Sequence, residues 1–406
     1  MEYQANLELT PLKKKEQYIN RVFRLADYAK ELRLKEYEKT LFKEYDSNTD
    51  EYVVLLKAFG RKKMWLQLVE ILNAYFVYAT VIIYSLYHVA VTATVLVGGL
   101  AIVINASWQF RGVMREFADM ISDLPKESLY ISKIREFMDY QKKNHFDGLP
   151  VENVNEIEFE DVSFGYGNGN MILKNLNLKI RRGEHIAIVG CNGAGKSTLI
   201  KLLLNLYQPS KGRVLYNGTD VSELITEDYR KKFGVAFQDY QMFATSLAEN
   251  VLADVYADTE RENVEEALRI ATFNEKISTL KNGIFTPLTR EFDEDGVCFS
   301  GGEEQKVAIA RAIAKRSEII IMDEPSAALD PIAEHKLNHN IKEYGKEKTV
   351  IYISHRLSTT RNLDRIYVLA EGRIIEEGSH EELMRLNGAY AELFNVQAQK
   401  YVSGVV

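Results

Sequence analysis

The chain has 406 residues, of which 46% are hydrophobic and 27% are charged, with two cysteines and a formal net charge of −7. This composition excludes a disulfide-rich scaffold, a disordered chain and a protein that binds nucleic acid through bulk positive charge, so no nucleic-acid partner is expected. A mean hydropathy of −0.22 is typical of a soluble protein. That average conceals one long stretch of the chain that carries no charge.

The first 65 residues, which precede the uncharged stretch, are rich in charge and have a helical pattern. Over residues 21–45, apolar side chains recur at helical spacing between charges of both signs. This pattern predicts an amphipathic helix with one solvated face.

The uncharged stretch lies between Glu70 and Arg111 and contains 40 consecutive residues without Asp, Glu, Lys or Arg. A helix rises about 1.5 Å per residue, so this length predicts two membrane spans of about 20 residues each. We expect the spans over residues 71–86 and 92–110, with the turn at residues 87–91. A buried helical hairpin in a soluble domain is the alternative.

Cations flank both ends of this hairpin, and they predict that both ends face the cytoplasm. They are Arg61, Lys62, Lys63, Arg111 and Arg115. After the hairpin the helical pattern continues to about residue 142, and Pro125 predicts a kink or a break in it. Residues 143–154 are typical of a linker.

From residue 157 onward, short β-branched runs alternate with helical patterns. This alternation predicts an α/β domain with a largely parallel sheet. Within it, residues 190–198 (GCNGAGKST) follow an apolar strand and open a helical pattern, which is the setting of a phosphate-binding P-loop. The residues predicted to bind nucleotide here are Gly190, Asn192, Gly193, Gly195, Lys196, Ser197 and Thr198.

Each P-loop residue type has a chemical reason. Glycines let backbone N–H groups surround phosphate oxygens at a helix N-terminus. Lys196 is expected to contact the β- and γ-phosphates and Ser197 to ligate Mg²⁺. A second apolar run ends at Asp323 and Glu324, which predicts a Walker B pair: Asp323 supports Mg²⁺, and Glu324 polarises the attacking water as a general base.

The remaining motifs resemble those of ATP-binding cassette (ABC) proteins in order and spacing, over about residues 155–395. Ser300, Gly301 and Gly302 resemble the ABC signature, and Gln238 resembles the Q-loop glutamine. Residues 327–330, which end in Asp330, resemble the D-loop. His355 matches the switch histidine, and Tyr166 matches the aromatic residue that stacks on adenine.

This resemblance implies ATP and Mg²⁺ as cofactors and a head-to-tail cassette dimer. ATP would lie between the P-loop of one subunit and residues 300–302 of the other. The implied catalytic residues are Glu324, His355, Lys196 and Gln238. The implied metal ligands are Ser197, Gln238 and Asp323.

The chain further resembles exporter-type half-transporters, in particular bacterial peptide, lantibiotic or multidrug exporters. Residues 290–296 (REFDEDG) are similar to the X-loop, residues 21–45 to a cytoplasmic coupling region, and the hairpin to the fifth and sixth transmembrane helices. The implied fold is an α/β P-loop NTPase, an ABC cassette with a helical subdomain, preceded by an all-α partial transmembrane domain. Its expected segments are residues 1–142, a linker at 143–154, the cassette at 155–395 and a C-terminal tail at 396–406.

The implied function is ATP-driven export of a peptide, lipid or drug-like substrate across the plasma membrane, with the cassette in the cytoplasm. The expected partners are the bilayer and a second half-transporter subunit, identical or different. Four spans of such subunits are not in the sequence, which suggests a truncated chain, a mis-started gene or a split subunit.

Two departures from the family pattern lie in the signature, where Phe299 replaces the usual Leu and Glu303 replaces the usual Gln. Two other functions stay open at this point. The chain is alternatively a soluble ABC-type ATPase with a regulatory role, or a weakly hydrolysing regulatory subunit of a heterodimeric transporter.

Overall fold

The structure of the protein, a computed structural model, describes residues 2–25, 28–90, 97–144, 148–167, 169–326, 329–354 and 357–402. Within this part of the chain there are two compact units, which meet between Asp139 and Tyr140. The first unit is helical and the second combines strands with helices. The segment boundaries drawn from the sequence stay predictions.

The helical unit contains α1 (Glu2–Arg24), α2 (Ala29–Lys35), α3 (Tyr37–Ala90) and α4 (Val97–Asn144). The single amphipathic helix expected over residues 21–45 is wrong, because the chain is interrupted twice there. The first interruption follows α1, and the second is Glu36, whose left-handed φ of 49° separates α2 from α3. A non-glycine residue in this conformation cannot continue a right-handed helix.

Helix α3 is the one element in the described ranges that is long and apolar enough to cross a membrane. It stays helical through residues 87–90, where the sequence predicted the turn, so the predicted turn begins too early. Residues 91–96 lie outside the described part of the chain, and the second span therefore stays a prediction. Helix α4 continues through Pro125 without the break that was considered there.

The second unit is built from ten strands in the described residues, and they are introduced here in chain order. They are β1 (Glu156–Phe164), β2 (Leu173–Arg181), β3 (His185–Val189), β4 (Lys211–Tyr216), β5 (Thr219–Asp220), β6 (Phe233–Ala236), β7 (Ile319–Asp323), β8 (Thr349–Ile353), β9 (Arg365–Ala370) and β10 (Arg373–Gly378). The helices of this unit are α5 (Lys196–Leu203), α6 (Thr226–Lys231), α7 (Leu247–Leu252), α8 (Arg261–Ile270), α9 (Asn274–Ile277), α10 (Gly301–Ala314), α11 (Pro331–Tyr344), α12 (His380–Leu386) and α13 (Ala389–Val402).

These strands form two sheets. The larger sheet has the order β10-β9-β3-β8-β7-β6, and all its neighbours are parallel except β10 with β9. It confirms the predicted α/β fold with a largely parallel sheet. The smaller sheet, with the order β2-β1-β4-β5, is antiparallel and was not predicted as a separate layer.

The inner strands β3, β7 and β8 of the larger sheet are buried along their whole length, which explains their nearly continuous apolar sequences. Helices α7, α8 and α10 pack together around one of the hydrophobic cores of this unit, which includes Val264, Leu268 and Phe273. Because β3, β6, β7 and β8 run parallel, their carboxyl ends meet at one edge of the sheet, where open α/β sheets bind ligands.

The central strand β8 provides a test of this core. Ile351 is fully buried between β3 and β7, so the substitution Ile351→Ala is expected to lower the free energy of unfolding by about 2–5 kcal/mol. The matched control is Ile332→Ala on α11, because the Ile332 side chain is 70% exposed. Urea unfolding of the two variants measures the difference, and equal losses would contradict the assigned burial.

Candidate nucleotide-binding site

The P-loop joins β3 to α5, and its glycines are required by the backbone. Gly193 has a φ of 81°, and Gly195, which caps α5, has a φ of 109°. Both angles favour glycine because other residues are strained there. A Cβ added to Gly195 would also lie 2.7 Å from the Cδ2 atom of Leu173, so the leucine side chain would have to move.

Lys196 is the first residue of α5, and its side chain folds back under the loop. It is buried, and its Nζ atom donates to the carbonyl oxygens of Gly190 at 2.9 Å and Cys191 at 3.1 Å. The loop thus holds an ammonium group at the N-terminus of a helix, where the exposed N–H groups and the helix dipole also attract anions.

Asp323 ends β7 and its carboxyl group is buried. Its pKa is raised to about 6, chiefly by burial and then by the neighbouring charge of Glu324, while the charge of Lys196 opposes this rise. A buried carboxylate that is this costly to ionise favours the approach of a cation.

Glu324 follows directly and is held in a strained conformation with a left-handed φ of 50°. Its backbone is fixed by two hydrogen bonds: its N–H donates to Ile353 at 2.8 Å, and its carbonyl accepts from the Gln305 side chain at 2.8 Å. Its carboxylate accepts from Nε2 of Gln238 at 3.0 Å. Backbone strain of this kind concentrates at functional sites, where the surrounding structure enforces it.

One cleft of about 760 Å³ brings most of the predicted site residues together. The predicted residues that line it are Gly190, Asn192, Gly193, Gly195, Lys196, Ser197, Thr198, Gln238, Asp323 and Glu324. They come from the ends of β3, β6 and β7 and the start of α5. The sheet edge therefore assembles phosphate-binding and acidic groups in a single space.

Other predicted residues do not line this cleft. The Tyr166 ring is partly exposed and has edge contacts with Phe164 and Tyr207 at centroid distances of 5.0 and 5.2 Å. Ser300 and Asp330 cap the N-termini of α10 and α11, and Gly301 and Gly302 form the first turn of α10. His355 and residues 327–328 lie outside the described part of the chain.

The sequence reasoning missed several residues that line the cleft, namely Ile172, Cys191, Ser354, Leu357, Leu393 and Gln397. Ser354 could have been found, because it directly precedes His355 at the end of β8. Gln397 lies on the last helix and its side-chain oxygen accepts from the backbone N–H of Leu357 at 2.9 Å. Only tertiary packing brings α13 here, and no local signal predicts it.

The residues in the cleft fit a magnesium ion that is shared with phosphate. Within the described residues, no group of three or more His, Cys, Asp or Glu side chains is arranged to hold a metal alone. Mg²⁺ ordinarily takes one or two protein oxygens and completes its shell with water and substrate phosphates. The buried carboxylate of Asp323 and the exposed Ser197 hydroxyl lie in the same cleft and are ligands of that kind.

The parallel sheet, the glycine loop and the acidic strand end define a P-loop nucleotide-binding domain. Residues 173–327 match the family model described as "ABC transporter". The chain thus contains an ABC cassette, and its helical N-terminal unit precedes that cassette as in exporter-type half-transporters. This confirms the family resemblance that the sequence motifs indicated.

Curated proteins to which the chain is similar are named as a flippase and as a transporter. It is 32% identical over 365 residues to an ATP-dependent lipid A-core flippase of Legionella pneumophila, covering 89% of this chain and 60% of the relative. It is 35% identical over 333 residues to the mitochondrial iron-sulfur clusters transporter atm1 of Neurospora crassa, covering 78% of this chain and 45% of the relative. The chain therefore spans less than two thirds of the length of these curated relatives.

A solved structure of a bacterial Atm1-family ABC exporter with ATP bound is also similar. The TM-score is 0.80 at 27% sequence identity, over 98% of this chain and 70% of that chain. The similarity therefore covers the helical unit as well as the cassette.

The raised pKa of Asp323 predicts how stability depends on pH. The folded protein binds this proton more tightly than the unfolded chain, so the free energy of unfolding falls as the pH rises from about 4 to about 6. Asp323→Asn removes the penalty and is expected to stabilise the nucleotide-free protein by on the order of 3 kcal/mol near pH 7, and by progressively less toward pH 4.

Urea unfolding without nucleotide or Mg²⁺ across this pH range measures the effect. The control is Asp254→Asn, because Asp254 is an exposed carboxylate that does not line the cleft. Parallel pH curves for Asp323→Asn and the unsubstituted protein would contradict the assignment.

Proposed function

We propose that the chain is the ATP-binding and hydrolysing subunit of an ABC exporter, in which a head-to-tail cassette dimer couples hydrolysis to export. The observation that carries this proposal is the single cleft that gathers Lys196, Gln238, Asp323 and Glu324 at the carboxyl edge of a parallel sheet. Phosphoryl transfer needs charge neutralisation and exact positioning, and these groups supply both.

Each residue then has a distinct task. The P-loop N–H groups and Lys196 hold the phosphates of ATP. Ser197, Gln238 and Asp323 would hold Mg²⁺, which neutralises phosphate charge when it is bound. Glu324 accepts a proton from the attacking water, and its hydrogen bond with Gln238 fixes the direction of the carboxylate. His355 is proposed to hold the γ-phosphate.

The signature residues Ser300, Gly301 and Gly302 complete this site from a second copy or a similar subunit. They do not line the cleft of their own chain, and Ser300 lies exposed at the N-terminus of α10. Asp330 caps the N-terminus of α11, as Ser300 caps the N-terminus of α10. We place Asp330 at the dimer contact. A site completed only across an interface makes hydrolysis conditional on dimer closure, so ATP favours the closed state.

The transport half of the proposal rests on α3. In its apolar part, large side chains are exposed rather than buried, among them Tyr75, Phe76, Ile83 and Tyr84. A soluble helix would have to hide such a surface, whereas a bilayer accepts it. We place the chain in the plasma membrane with several spans, although relatives of this family include mitochondrial transporters.

The relatives are named for lipid A-core and for iron-sulfur clusters, so the family does not share one cargo. We keep a peptide, lipid or drug-like substrate for this chain. The exposed apolar surface of α3 favours an amphipathic or lipid-like molecule over a small hydrophilic one.

A soluble regulatory ABC-type ATPase is the second candidate. It is favoured by the charged segment of α3 that precedes its apolar part. Membrane fractionation separates the two: recovery of the full chain in the soluble fraction without detergent would favour the regulatory ATPase. A weakly hydrolysing regulatory subunit is disfavoured by Glu324, which is present and held in place by hydrogen bonds.

The general base is tested by Glu324→Gln, which keeps the size of the side chain but removes its basicity. We expect ATP hydrolysis to fall at least about 100-fold, the usual contribution of such a group, while ATP still binds. Glu347→Gln, at an exposed position, is the matched control. Undiminished turnover in Glu324→Gln would exclude this role.

The head-to-tail dimer is tested with the two cysteines of the chain. Cys191 is exposed in the P-loop, and Cys298 is exposed two residues before Ser300. Head-to-tail pairing would bring Cys191 of one copy near Cys298 of the other. A short thiol-specific cross-linker, added to the Glu324→Gln variant with ATP, is therefore expected to yield a covalent dimer.

Either Cys191→Ser or Cys298→Ser alone should abolish this product, because each cross-link needs both residue types. A cross-linked dimer that survives in one single variant would indicate a symmetric contact between like cysteines and would contradict the head-to-tail arrangement.

A further inference from the structure

The two signature residues that depart from the family pattern, Phe299 and Glu303, share a contact with one lysine. Nζ of Lys276, on α9, lies 2.8 Å from Oε1 of Glu303 and 5.8 Å from the centre of the Phe299 ring. The Phe299 ring in turn stands edge-on to Phe273 at a centroid distance of 5.3 Å. The departures are therefore parts of one local cluster rather than separate substitutions.

The two oxygens of the Glu303 carboxylate contact different residues. Oε1 contacts Lys276, while Oε2 accepts from the backbone N–H of Ser300 at 2.8 Å and from its hydroxyl at 3.0 Å. This is the return half of a capping box at the start of α10. The Ser300 hydroxyl thus donates its single hydrogen to Glu303.

A glutamate at this position has an electrostatic cost that a glutamine lacks. Burial alone would raise the pKa of Glu303, but hydrogen bonds from Lys276 and Ser300 outweigh it and bring the pKa below its ordinary value. The group is therefore ionised at neutral pH, beside the serine that is proposed to meet the γ-phosphate. An uncompensated negative charge there would repel the nucleotide.

Lys276 is placed to compensate this charge. Its side chain is 34% exposed, so water screens the pair only in part. Lys306, another lysine on this side of α10, directs its Nζ atom to the carbonyl of Thr272 at 3.2 Å instead. Lys276 is therefore the cation that the structure pairs with Glu303.

We infer that Lys276 is a positioning residue of the composite nucleotide site: it holds Glu303 and neutralises its charge, so that this carboxylate beside Ser300 does not repel the γ-phosphate of ATP bound on a second subunit. This inference rests on the proposed function, since it assumes that the signature meets nucleotide across a dimer. Lys276 itself does not touch the reacting atoms. Its effect passes through Glu303 and Ser300.

The test uses the full chain in detergent and the substitution Lys276→Met, which keeps the unbranched stem against Phe299 and removes the charge. We expect the KM for ATP hydrolysis to rise about tenfold, the size of one uncompensated charge in a partly solvated site, with a much smaller change in kcat. Lys276→Arg should keep the original KM. Lys346→Met, which breaks an exposed pair with Glu343, is the matched control.

The decisive variant is the double substitution of Lys276→Met with Glu303→Gln. If the lysine acts by compensating charge, removal of the carboxylate charge restores the original KM. If the lysine only supports the fold of α9, the double variant stays as impaired as the single one, and the inference is overturned. An unchanged KM in Lys276→Met overturns it equally.

A second readout does not need turnover. In the Glu324→Gln background, Lys276→Met should raise the ATP concentration that gives half-maximal cross-linking of Cys191 to Cys298 by a similar factor. Binding of a fluorescent ATP analogue to the P-loop of the uncross-linked protein should not change.

If the parent protein neither cross-links with ATP nor depends on Glu324, the proposed function fails as a whole. If the parent behaves as proposed and only Lys276→Met is without effect, this inference alone fails.

Discussion

The register of the parallel sheet is the constraint on which the nucleotide site depends. Ile188 of β3 pairs with Ile353 of β8, and Ile353 pairs with Asp323 of β7, so β7 and β8 end at one level and β3 ends one residue beyond it. Ala236 of β6 ends one position away, opposite Met322. Because these pairings are buried and a slip by one residue would reverse every side chain, the loops that follow them are held together without needing contacts of their own.

At the same edge of the sheet, Asp323 and Glu324 lower the stability of the fold but provide carboxyl groups for the nucleotide site. Burial of Asp323 makes its carboxyl group costly to ionise, and Glu324 adopts a backbone conformation that costs a non-glycine residue energy. Both are tolerated because the fully buried β7 and β8 fix them on each side. The poorly solvated carboxyl group of Asp323 and the fixed carboxylate of Glu324 suit a site that must bind a cation and a phosphate group together.

The sequence predicted the parts of the fold and site whose signals are local. The P-loop glycines, Lys196 and the Asp323–Glu324 pair could be read directly, since each follows an apolar strand. The break at Glu36 could not, because a charged residue in a helical pattern carries no sign of a left-handed φ. Gln397 reaches the cleft only through packing of α13, which is distant in sequence. For Ser300, the motif indicated a nucleotide contact but could not say that its own carboxylate neighbour already occupies the hydroxyl.

Helix α3 has a mechanical consequence that follows from its continuity. Its 54 residues correspond to about 80 Å, with charged residues in the first half and apolar residues in the second. One continuous series of backbone hydrogen bonds therefore joins the charged segment to the apolar segment. Because this helix is rigid, a tilt of either end changes the direction of the other end. Gly60 lies near the boundary between the halves with open space around its Cα, and as the weakest helix former of this helix it is the point where bending costs least.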